Sequence, residues 1–182
     1  MTLHKSLKSA TKSWHDAAEA SLNLRLETFG AAAYRRYLTV MRAVHHEFAA
    51  QHAQGCESLG LVPRNRAIIA ALDQDLAVLA GCRVTVPSRA QLSSDVPHAQ
   101  GVAYAFEGAA MGAAILRKRI AQSTIALPEH YLSLLTEDAA ERWWFMRDRL
   151  AACAPKDSAV DGAIAVFKSV IGHANHYRTQ HG

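Results

Sequence analysis

An all-α, single-domain fold is what this sequence predicts, and three observations carry the prediction. Only 5 prolines and 10 glycines interrupt 182 residues, and alanine, the strongest helix former, is abundant. A sandwich or barrel needs turn residues at much shorter intervals. Apolar residues recur at three- and four-residue steps along most of the chain, the period of a helix with one buried face. Finally, no strand runs into a phosphate-cradling glycine loop, which excludes a Rossmann domain. The length suits one core. With half the residues apolar and a fifth charged, the composition is globular rather than disordered.

The elements follow in order. Leu7, Ala10, Trp14, Ala17 and Ala18 predict a first helix over Lys5 to Leu22, with Lys5, Lys8, Lys12, Asp16 and Glu19 mostly on its other faces. Tyr34, Leu38, Met41, His45 and Phe48 predict a second from Ala31 to His52. Pro63 suits the first turn of a third, which carries Ile68, Ile69, Leu72, Leu76 and Leu79 and ends near Gly81. Arg83 to Pro97, with its prolines and serines, reads as a connector. A long apolar helix then spans Ala99 to Gln122, and Pro128 closes the link after it. Glu137 to Ala152 and Ser158 to His176, separated by Pro155, complete six helical stretches. There is no repeat, no low-complexity segment and no interdomain linker.

Composition also bounds the setting. Cys56, Cys82 and Cys153 are odd in number and far apart. They form no zinc pattern or disulfide framework, which points to a reducing cytoplasm. The most apolar stretch, GVAYAFEGAAMGAAIL, has 16 residues with Glu107 inside it, short of the roughly 20 that span a membrane. The N-terminus lacks the apolar run of a signal peptide. A net charge of +4 is mildly basic; it favours acidic partners or anionic ligands without choosing among them.

Ten histidines raise the question of metal. Glu-x-x-His, which a helical di-iron site requires, does not occur, and neither does HExxH. His45 and His46 point to different helix faces, while His173, His176 and His181 read as a polar tail. His15 has more telling company. It follows Trp14 and has Glu19 one turn later, where the side chains can meet. A carboxylate there orients the imidazole and leaves its other nitrogen free for a metal; the plain alternative is a surface pair. The second unusual feature is Gly108 and Gly112 inside the long helix, each costing about 1 kcal/mol relative to alanine. With Gly101, Ala105, Ala109 and Ala113 they make a strip nearly free of side chains. Either another helix packs closely there or a flat ligand lies against the backbone.

Together these segments resemble a known family. LKSATKSWHDAAE is similar to the proximal helix of haem oxygenases, and GVAYAFEGAAMGAAILRKRIAQ to their distal helix, especially the bacterial form with Glu-Gly and Gly-Ala-Ala. RWWFMRDRLAACAP and the helix bearing Phe167 follow in the family's order, so the resemblance spans nearly the whole chain. It implies a helical bundle with haem (iron protoporphyrin IX) between the first helix and the distal helix. His15 would be the proximal iron ligand, with Glu19 hydrogen-bonded to its second nitrogen. Gly108 and Gly112 would border the distal face where O2 binds, and Lys8 matches a propionate-contacting lysine. Tyr104 lies one residue from a propionate-contacting tyrosine of the family. Arg142 and Arg147 are candidates for further propionate contacts, and Phe167 for a pocket wall.

The implied activity is oxidative cleavage of haem, at once cofactor and substrate, to biliverdin, carbon monoxide and ferrous iron. A side-chain-poor distal helix lets backbone groups and ordered water reach the oxygen without a strong acid beside it. The chain departs from several relatives at Ala109 and Ala110, where they carry a polar residue that orders this water. With no flavin or nicotinamide motif, electrons would come from a ferredoxin- or flavodoxin-type donor, and a bilin-using photoreceptor is a possible recipient of product. Neither nucleic acid nor membrane is expected as a partner. The main rival is a noncatalytic haem-binding or haem-sensing protein with the same His15. A histidine phosphotransfer domain leaves Trp14 and the glycines unexplained. A thiamine-degrading relative would need a catalytic cysteine in a recognisable setting.

Overall fold

A computed structural model describes residues 2–24, 30–80, 95–122 and 126–181. These hold eight helices and no strand. They are α1 (Leu3–Leu22), α2 (Ala31–Glu47), α3 (Ala49–Ser58), α4 (Asn65–Ala80), α5 (Val96–Ala121), α6 (His130–Thr136), α7 (Ala139–Ala152) and α8 (Asp157–His181). The all-α expectation holds. Eight helices replace six because one predicted helix is broken and one was not anticipated.

Thr2 caps α1, its hydroxyl accepting from the Lys5 N–H, so the helix starts two residues earlier than predicted. It ends where Asn23 turns left-handed, at φ 48°. Its buried residues Leu3, Leu7, Thr11 and Ala18 share one face. The helix predicted for Ala31 to His52 instead breaks at Phe48 (φ −106°, ψ 14°), and α3 runs on to Ser58. No proline or glycine marks this break. Phe48 is buried there against Phe106, and the bend lays Gly55 of α3 on the backbone of α5, where a Cβ would collide with the Ala99 carbonyl. Pro63 stands ahead of α4 rather than in its first turn.

Asp95 caps α5 by accepting from the His98 N–H at 3.3 Å, so the helix opens at Val96 and takes Pro97 into its first turn. Most of the predicted connector, residues 81–94, lies outside the described residues. The unanticipated α6 is capped from a distance. Buried Asp75 of α4 accepts from the backbone N–H groups of His130 (3.1 Å) and Tyr131 (2.9 Å) and from the His130 ring (2.8 Å). A carboxylate satisfying orphan N–H donors at a helix N-terminus is favourable for both bonding and dipole. The predicted polar tail is helical in α8, and His173 meets Glu47 of α2 at 3.2 Å.

Two apolar clusters form the interior. One joins α1, α3, α7, α8 and two valines of α2, Val40 and Val44, to the N-terminal half of α5. The other joins α2, α4, α6 and Ala139 at the start of α7 to its C-terminal half. Between α5 and α8 the backbones are nearly in contact, since a Cβ on Gly101 would collide with Ala159 and one on Gly162 with His98. Close packing thus explains Gly101 in the small-residue strip. It does not explain the two glycines further along.

Candidate functional site

α1 and α5 each lie along α8, which supports them both. They meet at Tyr104 of α5, which lies edge-on to His4 of α1 with ring centroids 6.2 Å apart, next to the Thr11 hydroxyl. His15 stands one turn beyond Thr11 on α1, and Gly108 one turn beyond Tyr104 on α5. Burial pushes the Tyr104 phenol above its ordinary range, and the Thr11 hydroxyl beside it partly offsets this.

The His15 side chain is half exposed. Its Nε2 lies 3.7 Å from Glu19 and its Nδ1 3.7 Å from Asp16. Both distances exceed a hydrogen bond, so neither ring nitrogen is committed. The expected Glu19 bond is within reach but unmade. The ring sits edge-on to Phe167 of α8, with centroids 5.9 Å apart. Lys8 is exposed, whereas the neighbouring Lys12 is held by Asp16 at 2.8 Å.

The C-terminal half of α5 is asymmetric. Ala110 and Ala113 are buried in the second cluster, while Ala109, Met111, Gly112, Ala114 and Ile115 are exposed. A Cβ on Gly112 would meet nothing within 4 Å; one on Gly108 would lie 3.3 Å from the Trp143 ring. Of the two alanines that depart from the family pattern, only Ala109 therefore borders this face. Ala110 points into the core.

Arg142 goes elsewhere than predicted. It is buried, and its Nε and Nη2 donate to the two Glu107 oxygens at 2.9 and 2.8 Å while Nη1 donates to the Val62 carbonyl at 3.1 Å. A guanidinium with all its edges engaged inside the core is not available for a ligand carboxylate, which corrects the expectation. Arg147 is partly exposed, stacks 3.9 Å over Trp144 and bonds only its neighbour Asp148. His4 at the start of α1 is held below its ordinary pKa by burial, then by the charges of Arg147 and Lys8. These cations therefore share one neighbourhood between α1 and α7.

Sequence reasoning missed the network around Glu107. His52 Nε2 lies 3.3 Å from Glu107, Cys56 Sγ 3.8 Å, and Arg64 4.0 Å; Asn65 Nδ2 contacts His52 Nδ1 at 2.8 Å. Burial alone would raise Glu107, but hydrogen bonds from Arg142 and His52 hold it down at about 2. Burial and the Glu107 charge push the Cys56 thiol up to about 12. The donor atoms of His52, Cys56 and Glu107 lie within 4.8 Å of one another, a spacing that a metal could use. Here Arg142 already supplies the positive charge, and the group reads as a closed structural network. The one available signal was a single charge inside the most apolar stretch of the chain.

α1 thus offers a half-exposed histidine and α5 a face open at Gly112. The family model described as "Heme oxygenase" matches residues 1–172. The chain belongs to the haem oxygenase family. No curated protein and no solved structure matches it. Haem oxygenases are haem-binding, haem-degrading proteins, and the helical bundle described above is the family's all-α fold. Among the described residues of this haem oxygenase family member, no helix is long and apolar enough to cross a membrane.

Proposed function

We propose that the protein is an active haem oxygenase, converting haem to biliverdin, carbon monoxide and ferrous iron with O2 and external electrons. The observation that carries this reading is the face of α5 at Gly112, where a side chain would meet nothing. A helix gives up stability for a glycine, and here no neighbouring backbone gains from it. A flat ligand would.

The residues fit the group. When bound, haem supplies the iron at which oxygen is reduced and the ring that is opened. His15 would offer a ring nitrogen to the iron, and Glu19, 3.7 Å from the ring, would orient the imidazole from its other side. Phe167 supports the ring edge-on. Lys8 and Arg147, with Tyr104 at the junction of α1 and α5, are the groups to hold carboxylates. The exposed residues of the distal face carry no acid, so protons would arrive through backbone-held water.

That same absence supports a second reading, a noncatalytic haem-binding or haem-sensing protein. Ala109, Met111, Gly112, Ala114 and Ile115 offer no side-chain donor to order water. The donor of electrons is read as an acidic ferredoxin- or flavodoxin-type protein that meets the basic surface, and the setting as cytoplasmic, with Cys56 and Cys153 free. Iron acquisition and supply of bilin to a photoreceptor are the two uses proposed for the products, with neither nucleic acid nor membrane engaged. The deciding experiment is titration of the apoprotein with hemin, followed by ascorbate or a ferredoxin system in air with catalase. A stoichiometric Soret band that decays into a biliverdin spectrum supports the enzyme. A complex that persists with every donor supports the sensor, and the absence of specific binding removes both.

A further inference from the structure

The open face of α5 is closed at one end. At Gly112 nothing approaches, but at Gly108 the indole of Trp143 stands where a Cβ would touch it, with Cζ3 at 3.3 Å and Cη2 at 3.5 Å. Trp143 is partly exposed and bounded by two other rings. Its centroid lies 5.4 Å from Tyr104 of α5 and 6.0 Å from His4 of α1, and those two meet edge-on at 6.2 Å. Three helices thus each contribute one ring to a single corner.

The backbone beneath that corner is fixed by the buried ion pair. Glu107 and Arg142 are joined by two charge-assisted bonds, and their immediate successors are Gly108 and Trp143. The pair that holds α7 to α5 therefore also sets the indole over the first distal glycine. A bidentate carboxylate–guanidinium contact constrains direction as well as distance, so the ring has a defined place.

We propose that Trp143 is a specificity-determining residue, the lateral stop against which a planar tetrapyrrole seats on α5. The inference rests on the haem oxygenase reading of the site. A flat ligand on this face can extend past Gly112 but not past the indole, so its in-plane position is fixed by where its edge meets Trp143. The macrocycle is nearly square and carries four bridging carbons that differ only in the substituents flanking them. The one that lies beneath the oxygen path depends on that position, and Trp143 helps select which carbon is attacked.

The test uses the full chain with Trp143→Ala and Trp143→Phe. Two measurements read seating: the haem methyl shifts in the proton NMR spectrum of the ferric cyanide complex, which needs no turnover, and the biliverdin isomer ratio by chromatography. Trp143→Ala should give a second set of methyl resonances and change the isomer ratio by about threefold or more, within the range a single pocket contact can discriminate. Trp143→Phe should fall between this variant and the parent, and it keeps the test open if the alanine variant does not fold. Parental methyl patterns and isomer ratios in the folded variants would overturn the proposal while leaving the enzyme assignment intact. A parent chain that binds no hemin would overturn both. A parent that binds hemin without degrading it loses the enzymatic reading, and the methyl shifts alone then decide the seating role.

Discussion

Two of the histidine–glutamate pairs among the described residues, one exposed and one buried, differ in everything except residue type. His15 and Glu19 lie on one exposed helix, 3.7 Å apart, with no hydrogen bond between them. His52 and Glu107 lie on two helices, buried and 3.3 Å apart, with Arg142 and Asn65 completing their bonds. The second pair has a donor set that resembles a metal site, yet its bonding capacity is spent. The first has capacity to spare and faces solvent. The unfinished pair is the better candidate for function, and the finished pair ties α3, α5 and α7 together.

The largest effect should come from breaking the buried pair. Arg142→Ala leaves Glu107 charged in the core and should cost about 3–5 kcal/mol in chemical denaturation; a loss near zero would mean the network is not holding α7 to α5. His15→Ala should do the opposite, changing stability by no more than ~0.5 kcal/mol. Its hemin affinity should fall by at least the roughly 10- to 100-fold that outer-shell partners of a metal ligand cost. An unchanged Soret spectrum in that variant would transfer the axial role to another residue.

The glycines of α5 sharpen the contrast on a smaller scale. Gly101→Ala forces a methyl into the Ala159 backbone and should destabilise by about 1–3 kcal/mol. Gly112→Leu enters open space and should gain up to about 1 kcal/mol in helix propensity, while haem binding or turnover is blocked. Full activity in Gly112→Leu would show that the face takes no ligand.

The most gradual effects are those of pH. Burial holds His45 at about 3, against an ordinary 6.5. The unfolded chain therefore binds its proton first, and stability falls as pH drops from 6.5 toward 3, by at most ~1.4 kcal/mol per unit. Glu107, held at about 2 against 4.5, adds a further loss as pH falls between those values. His45→Phe should flatten the upper part of this profile and leave the lower part in place. Identical slopes from pH 6.5 to 5 in both proteins would remove His45 as the source.

How much of this was legible in the sequence depended on range. α1, α5 and the two rows of candidate residues upon them follow from local periodicity, and His15 and Glu19 stand where one helical turn puts them. The break at Phe48 was hidden because no residue there disfavours helix; a packing contact with Phe106 decides it. α6 was hidden because its cap, Asp75, comes from another helix. Arg142 was misassigned for the same reason, since its partner lies on α5 and nothing near it in sequence says so.

α5 is a common wall of both apolar clusters. A partition shared by two rooms cannot be moved to enlarge one without damaging the other. Divergence in this lineage should therefore leave the course of α5 nearly unchanged. Adaptation to a bulkier or differently substituted ring would be recorded in α8, whose apolar residues answer to the first cluster alone.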